Sequence, residues 1–203
     1  MVKAPRIGQT APNFLTIGVF KKRLGKIRLS DYLGKKYVIL LFYPGNFTSV
    51  SPTELISLSD RISEFRKLST QILAISVDSP FSHLQSLLLN REEGGLGNLN
   101  YPLISDSTQT ITRDYHLLTD EGLAFPGLFI IDKEGVIQYY TVNNLLCGRN
   151  INELLRILES IQYVKENPGH ACPVNWEYGD PILYSHPLKS KLYFKELYSP
   201  KKS

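Results

Sequence analysis

"YVILLFYPGNFTSVSPTEL", residues 37–55, opens on seven consecutive apolar residues and closes on the start of a helix. The run 37–43 has strand length and is rich in β-branched and aromatic residues. Continuous apolarity over that length marks a strand buried on both faces. A polar turn follows. Ser51-Pro52-Thr53-Glu54 then reads as a capping box, with Ser51 capping the helix and Glu54 bonding back to it. Pro52 takes the first helical position, where a missing N–H costs nothing. A helix N-terminus also favours negative charge, so Ser51 stands where a reactive anion would be stabilised.

Outward from this stretch the same signals recur. "QILAISVD" (71–78) and "GLFIID" (127–132) are further buried strands, and "VIQYYTV" (136–142) follows the second after "KEG", a three-residue hairpin loop. Leu55, Ile56, Leu58, Ile62, Phe65 and Leu68 lie at helical spacing and predict one helix over 52–68. Helices are expected over 81–89 and 151–164, the latter capped by Asn150 with Glu153 completing a second box. Strand, helix, strand, helix and hairpin define an α/β class: a mixed central sheet with helices on both faces. Ligands on such sheets gather at the carboxyl ends of strands, and Ser51 follows one. From Glu166 the texture turns Pro- and Gly-rich around a lone Trp176, ending in a short helix over 188–198. The domains are drawn as 1–165 for the α/β body and 166–203 for an arm that docks on the body or on a second subunit.

The 203 residues, 42% hydrophobic and 21% charged with net charge +4, suit a globular chain with a real core. No dense Lys/Arg cluster points to nucleic acid, and "KKRLGK" (21–26) reads as a solvated turn rather than a phosphate-binding patch. No apolar run is long enough to span a bilayer, and the N-terminal residues carry no secretory pattern. Two cysteines, Cys147 and Cys172, make no disulfide framework, which sets a cytoplasmic expectation. His83, His116, His170 and His186 are scattered without metal-ligand spacing, so no metal is expected. "GGLG" (94–97) reads as a flexible loop. With no Walker loop or dinucleotide fingerprint, no cofactor is expected either. Cys147, among apolar neighbours, reads as a small buried hydrophobe. A Ser-His hydrolase finds no G-x-S-x-G elbow around Ser51.

Several ordered blocks nevertheless coincide with one family. "FYPGNFTSVSPTEL" resembles the active-site segment of the typical two-cysteine peroxiredoxins, F-Y-P-x-D-F-T-F-V-C-P-T-E. "GGLGNLNYPLISD", "FPGLFIID", "TVNNLLCGRNINELLRIL", "HACPVNWEYGD" and "KLYFKELY" resemble further blocks in the same order, over about residues 7 to 198. The resemblance implies a thioredoxin-like fold and a homodimer or ring of dimers. It also implies thiol-dependent reduction of hydrogen peroxide and organic hydroperoxides, with a thioredoxin-like protein as reductant. In that chemistry a peroxidatic thiolate becomes sulfenic acid, and a partner subunit's resolving cysteine condenses with it.

Carried over position by position, Pro44 would shield the site and Thr48 would bond peroxide. Glu54 would orient the arginines, Arg149 would be one of these, and Cys172 would be the resolving cysteine. Two positions depart: Ser51 replaces the peroxidatic cysteine, and Pro126 replaces the main active-site arginine. Gly45-Asn46 is a smaller departure. A serine hydroxyl stays protonated where a thiol would ionise, and it has no sulfenic acid or disulfide counterpart. Proline has neither charge nor side-chain donor.

The expected reading is therefore a peroxidase-deficient relative that acts by assembly or partner binding. The alternatives are residual thiol activity through Cys172 or Cys147, and an ordinary thioredoxin-dependent peroxidase carrying an engineered Cys-to-Ser replacement. The last explains Ser51 but leaves Pro126 unaccounted for.

Overall fold

The computed structural model describes residues 4–199, and these fall into two compact units that divide between Arg149 and Asn150. The division lies one helix ahead of the boundary drawn from the sequence, so that helix groups with the arm.

The first unit is built on a seven-stranded mixed sheet. Its strands are β1 (Leu15–Phe20), β2 (Arg23–Arg28), β3 (Tyr37–Phe42), β4 (Thr70–Ser76), β5 (Leu103–Ser105), β6 (Gly127–Ile131) and β7 (Ile137–Val142), in the order β2-β1-β5-β4-β3-β6-β7. β3, β4 and β5 run parallel, and antiparallel hairpins close both edges. Every residue of β3 is buried, as its unbroken apolar run requires, with Leu40 in register with Leu73 on one side and Phe129 on the other. Phe42, Tyr115 and Phe129 form an aromatic knot in the core, with Tyr115 and Phe129 edge-to-face at 4.9 Å.

Helices α1 (Ser51–Asp60), α2 (Ile62–Lys67), α3 (Pro80–Leu88) and α4 (Thr110–Asp114) complete this unit. The single helix expected over 52–68 is two, because the backbone leaves helical geometry at Arg61, whose φ and ψ are −100° and 14°. "GGLG" is tied down by backbone bonds from Gly95, Leu96 and Gly97 to the preceding helix and turn. "KKRLGK" divides: Lys21 and Lys22 make the turn between β1 and β2, and Arg23 to Lys26 lie in β2.

The second unit contains α5 (Ile151–Glu166), the short pair β8 (His170–Ala171) and β9 (Leu183–Tyr184), and α6 (Lys191–Tyr198). Asn150 caps α5 by accepting from the N–H groups of Asn152 and Glu153, but Glu153 pairs with Arg156 and leaves the second box half-made. The arm turns back on α5. Trp176 packs on Tyr163 at 5.1 Å, Arg156 Nη1 donates to the Trp176 carbonyl, and the indole N–H donates to Asp180 O.

Candidate functional site

The strand-to-helix turn is built by polar bonds that end β3 and aim α1. Tyr43 extends the ladder one residue by donating to Ile75 O, and Pro44, buried and without an N–H, stops it. Asn46 N donates to Asp78 Oδ2 at 2.8 Å, and Asp78 also accepts from Ser76 and Ser82. Beneath lies His83, fully buried. Its Nε2 faces the Ile104 carbonyl at 3.2 Å and must carry the proton, which leaves Nδ1 to accept from Asn46 Nδ2 at 3.1 Å, while the Tyr43 hydroxyl, 3.3 Å from Nδ1, donates to Asn46 Oδ1 at 3.1 Å. Burial pushes His83 below its ordinary pKa, with Asp78 in opposition, and keeps the imidazole neutral. Burial likewise holds the Tyr43 phenol well above its usual range. Asn46 fits this network because it donates as well as accepts; a carboxylate there would face Asp78 with no proton to give.

Ser51 is 2% exposed and is the first residue of α1, not its cap. The capping box read from the sequence does not form. Val50 occupies the cap position without a side-chain bond, and Glu54 is committed elsewhere. Ser51 Oγ lies 2.6 Å from Thr48 Oγ1, which is also 3.1 Å from the Gly45 carbonyl oxygen. The threonine has a single hydroxyl proton, so the two hydroxyls and the carbonyl form a closed chain.

Glu54 and Arg149 form the second feature. Glu54 accepts from Arg149 Nε (2.8 Å), Nη2 (2.6 Å) and the backbone N–H (2.7 Å), with both side chains only 6% exposed. Arg149 Nη1 donates to the carbonyls of Phe42 and Gly127, tying the end of β3 to the start of β6. Next to that tie sits Pro126, buried, at the centre of a γ-turn closed by Gly127 N donating to Phe125 O at 2.7 Å. Proline's fixed φ suits such a turn at a strand start.

Thus Ser51 and Thr48 touch, Glu54 and Arg149 touch, and Pro44 and Pro126 frame them in the first unit. Cys172 belongs to the second unit, where its thiol faces Ser160 O at 3.9 Å and burial pushes its pKa up, opposed by Arg156. Cys147 is exposed, not buried as expected, because its loop of Leu145, Leu146 and Gly148 lies at the surface. Among the described residues no three His, Cys, Asp or Glu groups gather to hold a metal, and no helix is long and apolar enough to cross a membrane. The Asp78–Asn46–His83 network escaped the sequence reading; its one local signal was a histidine on an amphipathic helix.

A parallel core of three strands with the site at the carboxyl end of β3 defines a thioredoxin-like fold. The AhpC/TSA family profile matches residues 7–140, and the chain belongs to this family, the peroxiredoxins. The Trieres chinensis protein ycf42, whose name places it among the peroxiredoxins, is 85% identical over 203 residues, covering 100% of both chains. The chloroplastic 2-cysteine peroxiredoxin of Chattonella marina var. antiqua is 53% identical over 95% of this chain and 98% of its own. Among solved structures, the reduced 2-Cys peroxiredoxin of Plasmodium vivax superposes with a TM-score of 0.91 at 36% identity, over 93% of this chain and 98% of that one. The mixed thioredoxin-like fold expected from the sequence is the fold found.

The cytoplasmic expectation is overturned by the Chattonella relative, which is named as chloroplastic. Cysteine count reports on the redox state of a compartment, and a reducing plastid interior meets that condition as well as the cytosol does.

Proposed function

We infer that this peroxiredoxin relative is peroxidase-deficient and acts through assembly or partner binding. One observation carries the reading. Where the family resemblance puts a reactive thiol, Ser51 presents a buried hydroxyl closed onto Thr48 at 2.6 Å. A hydroxyl in that place cannot become the sulfenic acid of the thiol cycle. Pro126 reinforces it, since a γ-turn proline offers peroxide no charge and no donor. Pro44, Thr48, Glu54 and Arg149 then keep the family's architecture without its nucleophile, and Cys172, the resolving position, lacks its partner. The compartment consistent with the chloroplastic relative is a plastid, and the assembly is a homodimer or a ring of dimers.

The test is a thioredoxin-coupled peroxide assay on purified protein, for which consumption equal to a no-enzyme control is expected. Turnover at the level of an ordinary peroxiredoxin overturns the reading, and its abolition by Cys172→Ser would assign the activity to that thiol. Light scattering in excess reductant tests the assembly, where a clean monomer would remove it.

A further inference from the structure

The "KKRLGK" run is not exhausted by its turn. Its second half lines a cavity of about 490 Å³ in the first unit, on the face of the β1–β2 hairpin that looks toward α2 and β4. The cavity has a simple origin. Gly18 and Gly25 are directly opposed across the two strands, so one cross-strand pair on that face carries no side chains. The flanking pairs do carry them: Phe20 opposite Arg23 and Thr16 opposite Ile27. A Cβ on Gly18 would lie 2.4 Å from Ile27 Cδ1, whereas one on Gly25 meets nothing within 4 Å. The hollow therefore opens above Gly25.

Its lining is chemically lopsided. Arg23, Lys36 and Arg66 contribute three cations, and no acidic residue lines the cavity. Arg61, Arg91 and Arg156 are each paired with a carboxylate. Among the described residues Arg23, Lys36 and Arg66 make no salt bridge. Arg66 is steadied at the rim by donating Nη2 to Asn100 O at 3.2 Å, which sets its guanidinium without neutralising it. The rest of the wall sets an apolar part, the rings of Phe20 and Tyr32 beside Ile62 and Pro102, against the polar residues Thr70, Gln71 and Asn100.

We propose that this cavity binds a small phosphorylated molecule carrying one ring system, with the phosphate between Arg23, Lys36 and Arg66 and the ring on the apolar wall. Guanidinium forks match phosphate oxygens, and aromatic faces accept a planar ring. The volume lies within the range of small-molecule sites, about 300–1,000 Å³. None of these residues belongs to the Ser51 turn, so the proposal stands apart from the reading of that site.

The experiment is calorimetric titration of the full chain with adenosine 5′-monophosphate as probe, beside adenosine and inorganic phosphate. Saturable binding of one equivalent of the nucleotide is expected, with adenosine and phosphate each at least about tenfold weaker. Arg23→Ala and Arg66→Ala should each weaken the nucleotide by about tenfold. All three cations are exposed, so the fold should tolerate their loss. Gly25→Phe should abolish binding by filling the hollow, with an unchanged circular dichroism spectrum as the control for folding. No saturable heat, phosphate binding as tightly as the nucleotide, or affinity unchanged in both Arg23→Ala and Gly25→Phe would each overturn the proposal.

Discussion

The Ser51 turn and the Gly18–Gly25 hollow both lie in the first unit and both carry arginine, yet they are built in opposite ways. At the turn the polar groups have found one another: Ser51 with Thr48, Asn46 with Asp78 and His83, Arg149 with Glu54 and two carbonyls. At the hollow, three cations share a wall with no carboxylate. A self-satisfied polar site holds structure, because a ligand entering it must first break bonds that already exist. Exposed cations without a carboxylate partner have only water to exchange for an incoming anion. The difference places the architectural work of this chain at the inherited site and its capacity for a ligand elsewhere.

The sharpest way to break that comparison is to remove one member of the buried ion pair. Glu54→Gln keeps the shape of the side chain but leaves the Arg149 guanidinium buried without a counter-charge. Such uncompensated charges typically cost about 3–5 kcal/mol. Urea unfolding should show a loss of that size. A loss below ~1 kcal/mol, the level of solvent-screened pairs, would mean that the pair is not the staple described.

The next effect is catalytic. Ser51→Cys puts a thiol at the first position of α1, where the helix dipole should lower its pKa below the ~8.5 of a free cysteine. Sulfur is larger than oxygen, so Thr48, now 2.6 Å from Ser51 Oγ, must draw back to admit it. The variant still lacks a cation at position 126. Losing a comparable transition-state donor costs about 3 kcal/mol, or about 100-fold in rate. Stopped-flow oxidation by hydrogen peroxide, with Cys147 and Cys172 replaced by serine, should find Ser51→Cys slow and Ser51→Cys with Pro126→Arg much faster. Family-like speed in the single variant would show that the γ-turn proline withholds nothing.

These tests rest on contacts of very different legibility. β3, β4, β6 and β7 could be read because their apolar runs are continuous and local. β5 could not, since three residues carry no period; strands on either side of "KKRLGK" are expected from the sequence, and β1 fits, but β2 begins inside the run at Arg23. The family positions were visible through resemblance, but their bonding was not. The capping box at Ser51 failed because Glu54 is claimed by Arg149, a partner 95 residues away that no local pattern can announce. Cys147 misled for the converse reason: two neighbouring leucines suggested burial, yet nothing covers that loop in the first unit.

A smaller effect follows from His83. Its folded-state pKa lies below the unfolded ~6.5, so the unfolded chain binds the proton more readily. The stability that His83 contributes is therefore present above ~6.5 and is lost as pH falls toward the folded value. Below pH ~6.5, down to the folded-state pKa, the slope should reach about 1.4 kcal/mol per pH unit at most. Urea midpoints over that range should show the slope in the native chain and its reduction in His83→Gln. An equal slope in both would remove His83 as the source and show that burial does not hold this imidazole neutral.

The smallest effect separates the two halves of the "KKRLGK" run. Lys21 and Lys22 hold φ of 49° and 59°, the left-handed values that a two-residue hairpin loop between Phe20 and Arg23 demands. A side chain in that region costs about 1–2 kcal/mol relative to a residue without a Cβ. Lys22→Gly relieves this strain, and part of the gain is offset because glycine has more freedom to lose on folding. The net expectation is a stabilisation of about 1 kcal/mol by urea unfolding, small against the other effects but opposite in sign to the loss at Glu54. The substitution also deletes a positive charge beside the cavity without touching its wall, since Lys22 is not among the lining residues. Nucleotide affinity should therefore stay unchanged in Lys22→Gly while it falls in Arg23→Ala, one residue further on. If affinity instead drops equally in both, the run is acting as one diffuse basic patch, and the distinction between a built hollow and a solvated turn is lost.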